Sequence, residues 1–287
     1  MGRLRYVLRT QNGMRLLGPS DLPAMLELLS RNPVTNVFAD YRSRVTQLDP
    51  RWMGGEMWGY VEDGRLVSAC HAAANLVPVE ATDRAVQAFA ARGIHQRRRC
   101  STMVGPTDVV SALWAELSSH WSQPREFRWD QPLLEMSSSP DVGPDPLVRR
   151  TTPADLEALY PACVAMYTEE VGVSPESGGG ADMYRARVSQ LISSGWSFAR
   201  IDNGRVVFKA EVAAATPYAC QVQGVYVDPA LRGRGLAAAG MAAVVVSALR
   251  EIAPIVSLYV NRHNTPARRT YEAVGFHQTG AFATLMF

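Results

Sequence analysis

The segment that decides the fold is QGVYVDPALRGRGLAAAGMAAVVVSAL, residues 223–249. A short apolar run before Asp228-Pro229 predicts a strand, which stops there because proline has no N–H to donate to a sheet. The glycine-rich turn RGRG, residues 232–235, then leads into a long run of alanine, valine and leucine that predicts a helix. This order of strand, turn and helix indicates backbone amides that converge where the helix begins.

Converging amides of this kind suit an anion. The glycines carry no side chains that would block the amides, and the helix dipole adds partial positive charge, so the turn can bind a pyrophosphate. Arg232 and Arg234 can add charge-assisted contacts to phosphate. The turn is neither a Walker loop nor a dinucleotide-binding Gly-x-Gly-x-x-Gly motif. Taken alone, the pattern leaves open a glycine-rich turn that binds nothing.

A second segment, SLYVNRHNTPARRTYEAVGFHQTG at 257–280, supports the ligand-binding interpretation. Together the two segments resemble consecutive blocks of the GNAT acyltransferase superfamily, and the resemblance covers about half of the chain. Arg232, Gly235 and Ala237 occupy the defining places of the superfamily's Arg/Gln-x-x-Gly-x-Gly/Ala pattern. The second block is matched at Leu258, Val260, Asn264, Ala267, Tyr271, Gly275 and Phe276.

The resemblance implies that acetyl-CoA binds in a cleft where two parallel strands, predicted at 219–227 and 255–261, splay apart. The pantetheine arm would lie along the first strand like an additional strand, and the pyrophosphate would lie on the glycine-rich turn. The implied contacts are Val225, Tyr226, Val227, Arg232, Gly233, Arg234, Gly235, Leu236, Ala237 and Asn264.

The implied reaction is N-acetyl transfer to an amine by direct attack in a ternary complex. Tyr271 matches the position of the acid that protonates the departing thiolate. Many relatives carry a carboxylate base on the strand before the turn, but this chain has Gln221 and Gln223 there, which take no proton at neutral pH. Glu211 on the adjacent predicted strand is the nearest carboxylate. Its spacing from Lys209 also fits a simple ion pair, and a water chain is a further candidate base.

Glu169 and Glu170 end the first predicted helix of the C-terminal half, where relatives shape the acceptor pocket. They either hold a cationic amine, on a small molecule or a protein, or form a solvated face. A non-catalytic acyl-CoA-binding or regulatory module is the alternative function. Gln221 and Gln223 favour that alternative, and Tyr271 disfavours it. An aminoacyl- or peptidyl-transferase is disfavoured because its donor has no use for a pyrophosphate turn.

The two halves of the chain resemble each other. GYVEDGRLVSACHAAA at 59–74 and ARIDNGRVVFKAEVAA at 199–214 both predict a hairpin with a type I′ Asp/Asn-Gly turn. SDL at 20–22 and ADL at 154–156 each open a predicted helix after a short strand. Two matches in the same order favour a duplication over two unrelated hairpins.

The N-terminal half lacks the Arg-x-x-Gly-x-Gly/Ala pattern after Val77-Pro78, so we expect a degenerate GNAT-like domain that forms a wall of the acceptor pocket. The Ser/Pro/Gly-rich stretch 137–145 predicts a linker. The predicted domains are therefore 1–140 and 146–287. The predicted fold class is α/β (α+β), with two GNAT-like mixed-sheet domains in tandem and the C-terminal one intact.

Composition limits the possible partners and the compartment. A net charge of +2 over 287 residues is too small to predict a nucleic-acid or membrane partner. The four cysteines show no CxxC spacing, and no histidine pair has metal-ligand spacing, so we predict no metal site. The N-terminus lacks a signal-peptide core, and the apolar run 236–249 is too short to span a bilayer. We therefore expect a cytoplasmic protein.

Overall fold

The computed structural model describes residues 12–287. The chain divides into two compact units, one comprising residues up to Gln131 together with Ala281–Phe287, the other Pro132–Gly280. Each unit is a mixed α/β sheet with helices packed on its faces, as the sequence predicts. Most of the N-terminal segment in which no signal peptide is predicted lies outside the described residues. In residues 12–287 we find no helix that is long and apolar enough to cross a membrane.

The first unit is a mixed sheet in which four antiparallel strands lead into one parallel pair. Its elements are β1 (Gly13–Leu16), α1 (Leu22–Leu29), α2 (Val37–Thr46), α3 (Pro50–Met53), β2 (Glu56–Glu62), β3 (Arg65–Ala72), β4 (Asn75–Val79), α4 (Asp83–Gln96), β5 (Thr102–Pro106), α5 (Thr107–Leu117) and β6 (Glu126–Met136), which continues into the second unit. Strands β1 to β4 pair antiparallel, and β4 pairs parallel with β5.

The second unit repeats this order, with two α-helices instead of three between its first two strands. Its elements are β7 (Arg149–Arg150), α6 (Leu156–Val171), α7 (Ala181–Ser193), β8 (Ser197–Asp202), β9 (Arg205–Ala215), β10 (Cys220–Val227), α8 (Leu236–Glu251), β11 (Val256–Tyr259), α9 (Thr265–Val274) and β12 (His277–Met286), which ends in the first unit. Strands β7 to β10 pair antiparallel, and β10 pairs parallel with β11.

Local sequence signals predicted these elements well. Both Asp/Asn-Gly turns are confirmed, since Asp63 and Asn203 have φ of 47° and 51° and the following glycines have φ of 76°. The sequence also predicts helices at about 181–193 and at 265–274, and the structure has both with these bounds. For the closing segment, 276–287, the sequence predicts more than one strand, but the structure has a single strand there, β12.

The similarity of the two halves extends to side-chain contacts. Arg15 forms an ion pair with Asp21 at 2.6 Å, and Arg149 forms the equivalent pair with Asp155 at 2.8 Å. Each aspartate also accepts a hydrogen bond from the backbone N–H three residues before it, at the start of its helix. Two helices that begin with the same set of contacts support the predicted duplication.

In the second unit, the two faces of the sheet differ in character. Phe208 on β9 packs against α8 so closely that a Cβ at Gly240 would lie 2.6 Å from its ring. On the other face, β9 carries Lys209 and Glu211 toward α6 and α7, and both are buried. An apolar face therefore fixes α8, while the opposite face places polar groups beneath α6.

The units divide within strands and not at the predicted linker. Residues 282–286 of β12 pair with β5 in the first unit, and residues 133–136 of β6 pair with β11 in the second. Each sheet thus takes its last strand from the other half of the chain, so these bounds differ from the predicted domains 1–140 and 146–287. The predicted linker is also not free, because the N–H of Asp141 donates to Val274 and that of Asp145 to Ala239.

The position of β12 in the first unit leads to a first prediction. Leu285 is fully buried in the core of the first unit, whereas Leu147 is 56% exposed in the second. We expect Leu285→Ala to lower the free energy of unfolding by about 2–5 kcal/mol, because it leaves a cavity. Urea unfolding measures this free energy, and amide hydrogen exchange in β4 and β5 shows whether the loss falls in the first unit. Leu147→Ala is the control and should cost at most about 0.5 kcal/mol; equal losses in the two variants would contradict the strand assignment.

Candidate functional site

The central feature of the second unit is the divergence of β10 and β11. Among the described residues, the two strands pair only at Cys220 with Val256 and Gln221 with Ser257. The Ser257 hydroxyl donates to the Cys220 carbonyl at 3.0 Å and ties this end of the pair together. β10 stays paired with β9 as far as Val227. The edge of β10 that faces β11 therefore opens beyond Gln221, where the family resemblance implies a cleft.

A bulge in β10 shapes the wall of this opening. The register of β10 against β9 shifts after Gln223, and Gly224 has a φ of +62°, a conformation that favours glycine. A Cβ at Gly224 would lie 3.0 Å from Cδ of Glu211 and 3.1 Å from Cε of Met166. Gly224 thus lets a carboxylate from β9 approach the backbone of β10.

The turn between β10 and α8 is open. Gly233 and Gly235 both have a φ of +76°, and no atom lies within 4 Å of the place where either Cβ would stand. The Asp228 carboxylate accepts from the N–H of Ala230 and from Arg205, so the turn is anchored where it leaves β10. Arg234, which lies between the two glycines, is exposed.

The start of α8 has the properties of an anion site. Gly235 provides no side-chain cap, and the first turn of α8, which begins with Leu236 and Ala237, holds no acidic residue. By contrast, Thr82 caps α4 and Asn264 caps α9 through side-chain oxygens. Uncapped first-turn amides and the positive end of the helix dipole favour an anionic ligand.

Arg232 and Glu169, both predicted as ligand contacts, pair with each other. The guanidinium donates to both carboxylate oxygens of Glu169 at 2.9 and 2.7 Å, and its Nε donates to the Val227 carbonyl at 3.1 Å. These hydrogen bonds hold the pKa of Glu169 below its usual range. The pair is exposed and contributes only about 0–1 kcal/mol of stability, but it joins the end of α6 to the turn after β10.

Glu170, the next residue of α6, lies near the end of β11. Its carboxylate accepts from the side-chain amide of Asn261, just after β11, at 3.4 Å. Burial raises the pKa of Tyr271 above its usual range, and the nearby charge of Glu170 raises it further. Tyr271 is 7% exposed on α9, with its ring edge-on to Phe276. The last turn of α6 therefore carries carboxylates toward the ends of both β10 and β11.

Of the alternatives that the sequence left open for Glu211, the structure contains the ion pair. Lys209 forms the predicted ion pair, with Nζ 3.1 Å from Oε2 of Glu211. The other oxygen, Oε1, accepts from the side-chain amide of Gln223 at 3.0 Å. Glu211 is thus salt-bridged on one side and, on the other, reaches the strand where relatives carry their own carboxylate.

The remaining predicted contacts lie on β10 and at the start of α9. Val225 and Tyr226 are half-buried, Val227 is buried, and the Tyr226 ring lies 5.9 Å from the Arg232 guanidinium carbon. The Asn264 oxygen accepts from the N–H of Ala267 at 3.2 Å, so this side chain caps α9 and keeps its amide nitrogen for other partners.

Residues 189–276 match the sequence profile of the acetyltransferase (GNAT) family. The chain contains a GNAT-family domain. Residues 55–159 match a separate profile, a domain of unknown function named DUF4081. No curated protein matches the sequence.

Solved structures resemble the chain over nearly its whole length. An acetyltransferase from the GNAT family of Colwellia psychrerythraea is 12% identical, with a TM-score of 0.56, and the match covers 96% of this chain and 99% of that one. A GCN5-related N-acetyltransferase from Sphaerobacter thermophilus is 17% identical, with a TM-score of 0.59 and 95% of both chains covered. A tandem GNAT protein from the clavulanic acid biosynthesis pathway is 13% identical, with a TM-score of 0.55 and 95% and 98% covered. Likenesses at these identities establish the fold, including its tandem arrangement.

Among its described residues, the first unit has no open turn between β4 and α4 like the one that precedes α8. After β4 the chain passes through Glu80, whose φ is +47°, and α4 begins at Asp83 with Thr82 as its cap. The Glu80 carboxylate accepts from the amides of Asn32 and Asn36, both at 2.8 Å. An acidic group and a capped helix occupy the place where the second unit offers uncapped amides, which disfavours an anionic ligand there.

Sequence reasoning missed the contributions of Gly224 and Asn261. A glycine inside a predicted strand is a recognised sign of a bulge, so Gly224 was detectable. No local signal could have placed Asn261 beside Glu170, because 91 residues separate them in the chain.

The open turn generates a second prediction. Gly235→Asp should weaken acetyl-CoA binding by about 100-fold or more, because the new carboxylate competes for the α8 amides and repels phosphate. Gly204→Asp is a matched control in the same unit, since Gly204 also has a φ of +76° and open space around its Cβ position. Calorimetric titration with acetyl-CoA should give wild-type affinity for Gly204→Asp. Unchanged affinity in Gly235→Asp would refute the anion site.

Proposed function

We propose that the GNAT domain transfers an acetyl group from acetyl-CoA to an amine by direct attack in a ternary complex. The observation that carries this proposal is the divergence of β10 and β11 beside the uncapped start of α8. A cleft with an open strand edge on one side and an anion site at its end fits a donor with an extended arm and a pyrophosphate. Holding donor and amine together in one cleft supplies much of the rate enhancement.

The residues present fit this donor. The open edge of β10 at Val225–Val227 offers backbone groups to the amide-bearing arm, and residues 232–237 offer amides to the pyrophosphate. The Asn264 nitrogen can donate to the arm while its oxygen caps α9. When bound, acetyl-CoA supplies the activated acetyl group as a thioester. A backbone N–H of β10 directed at the thioester carbonyl would stabilise negative charge on its oxygen.

In this proposal Glu211 removes the proton from the amine. An amine with a pKa near that of lysine, about 10.4, is charged at neutral pH and must lose a proton before it attacks. Glu211 is the carboxylate that reaches the bulge at Gly224, and Gln223 fixes its outer oxygen. A water molecule between the amine and Glu211 would carry the proton, so the base need not touch the substrate.

Tyr271 acts on the departing sulfur. Burial and the charge of Glu170 raise its pKa, so the hydroxyl keeps its proton throughout the ordinary assay range. Because a thiol has a pKa of about 8.5, a phenol of higher pKa stabilises the thiolate chiefly as a hydrogen-bond donor. The proton that the amine loses can then reach the thiolate through solvent.

For the acceptor we propose a cationic amine, on a small molecule or a protein, that approaches past the end of α6. Glu170 lies on the Tyr271 side of the opening and is the carboxylate best placed to attract the ammonium group. Glu169 is engaged by Arg232 and instead orients the turn that binds the donor.

Calorimetric titration with acetyl-CoA, followed by thiol release over a panel of amines, tests the proposal. Binding with amine-dependent thiol release is the expected result. Binding without release on any amine would favour the non-catalytic acyl-CoA-binding module, and no binding would refute the proposed donor.

Tyr271→Phe is the third prediction. Loss of the hydroxyl should lower kcat by about 100-fold while acetyl-CoA affinity stays near the wild-type value, because only the departing thiolate loses a donor. Tyr218→Phe removes a hydroxyl from a 45%-exposed tyrosine and should leave kcat unchanged. Steady-state kinetics and calorimetry on both variants provide the measurement. Equal turnover in the two would exclude the assigned role.

A further inference from the structure

Lys209 is the only lysine in the chain, and it is fully buried. Its ammonium group lies 3.1 Å from Oε2 of Glu211, and the Cys163 thiol of α6 is close enough to help raise its pKa. Lysine is almost never fully buried without a partner. Every other basic side chain in the protein is arginine or histidine, so this position stands apart in both composition and burial.

Stability alone is a weak explanation for a buried pair of this kind. Desolvation of two charges offsets most of their attraction, and apolar residues of similar size often serve a core equally well or better. Burial by itself would lower the pKa of Lys209, but the Glu211 carboxylate and the Cys163 thiol outweigh burial and raise it. The ammonium group therefore keeps its charge at neutral pH.

The other titratable groups around Glu211 do not supply a charge. Burial raises the pKa of the Cys163 thiol on α6 and that of the Tyr184 hydroxyl on α7, so both are neutral at pH 7. Tyr167 of α6 lies edge-on to Tyr184, with ring centroids 5.4 Å apart. Ser197 on β8 is paired with Glu211 in the sheet and is uncharged. Lys209 is the cation in contact with the carboxylate.

We infer that Lys209 is a positioning residue for the transfer reaction. Its positive charge binds Oε2 of Glu211 from inside the fold and holds the carboxylate in place, so that the oxygen facing Gln223 can receive a proton from the acceptor amine. Lys209 itself keeps its proton, and Glu211 later returns the received proton to solvent. The inference rests on the proposed function, in which Glu211 is the base.

The single lysine allows a test that needs no acceptor. Protein labelled with ¹³Cε-lysine and made with a lysine-free tag gives one resonance, which belongs to Lys209. In the wild type this resonance reports the contact between the ammonium group and the Glu211 carboxylate. Glu211→Gln should change its chemical shift and lower the pH at which Lys209 deprotonates, because the carboxylate raises the pKa of Lys209. Identical titration curves for the two proteins would overturn the inference.

The fourth prediction, which is also the second test of the inference, concerns the pH profile of kcat/KM for Lys209→Met. Lys209→Met removes the charge but keeps an unbranched side chain, and an opposite charge in contact typically shifts a carboxylate titration by about 1–3 pH units. We expect kcat/KM at pH 7 to fall by about tenfold or more, with the acid limb of its pH profile displaced upward by at least about one unit. Lys209→Arg, which restores the charge, should return the limb toward its wild-type position.

A matched control separates this role from a purely structural one. Asp40 in the first unit is also buried and is paired with Arg44 at 2.7 Å. Arg44→Met should therefore lower stability without moving the acid limb of the pH profile of kcat/KM. If Lys209→Met lowers stability and leaves the acid limb of the pH profile unchanged, the inference fails. If Glu211→Gln retains wild-type kcat, the base assigned in the proposed function fails instead. If Lys209→Met does not fold, the lysine resonance of the wild type and of Glu211→Gln still tests the inference.

Discussion

The functional arrangement of the second unit depends on how little of β10 is paired with β11. Two residue pairs hold the strands parallel, after which the bulge at Gly224 turns the rest of β10 away. The opening persists because β10 remains bound to β9 and because α8 packs tightly on Phe208 through Gly240. A sheet that opens between two firmly held strands presents an unused backbone edge, which a ligand with amide groups can bind as a further strand would.

The end of α6 links the two sides of this opening. Arg232 and Glu169 join α6 to the turn after β10, while Glu170 lies beside Asn261 after β11. A single helical turn thus contacts both the predicted donor site and the predicted acceptor side of the GNAT domain. Exposed ion pairs add little stability, so the value of these contacts lies in the orientation that they impose on the turn.

The first unit shows what the same topology does without the site. It repeats the short parallel pairing, between β4 and β5, and its first helix begins with the same Arg–Asp contact. Where the GNAT domain has an open turn, this unit has the bound carboxylate of Glu80 and a helix capped by Thr82. The fold is therefore retained while the electrostatics at the strand end are reversed, which is consistent with a duplicated domain that is degenerate at the donor site.

The sequence by itself determined whatever depends on neighbouring residues: the type I′ turns, the helix bounds, and the glycines that open the start of α8. These features follow from backbone preferences that act over a few positions. Only the tertiary structure decided that β12 completes the first unit, that Arg232 binds Glu169, and that Glu211 reaches Gly224. Each of these contacts joins residues distant in the chain or depends on a bulge that shifts strand register, and no local pattern specifies which surfaces meet.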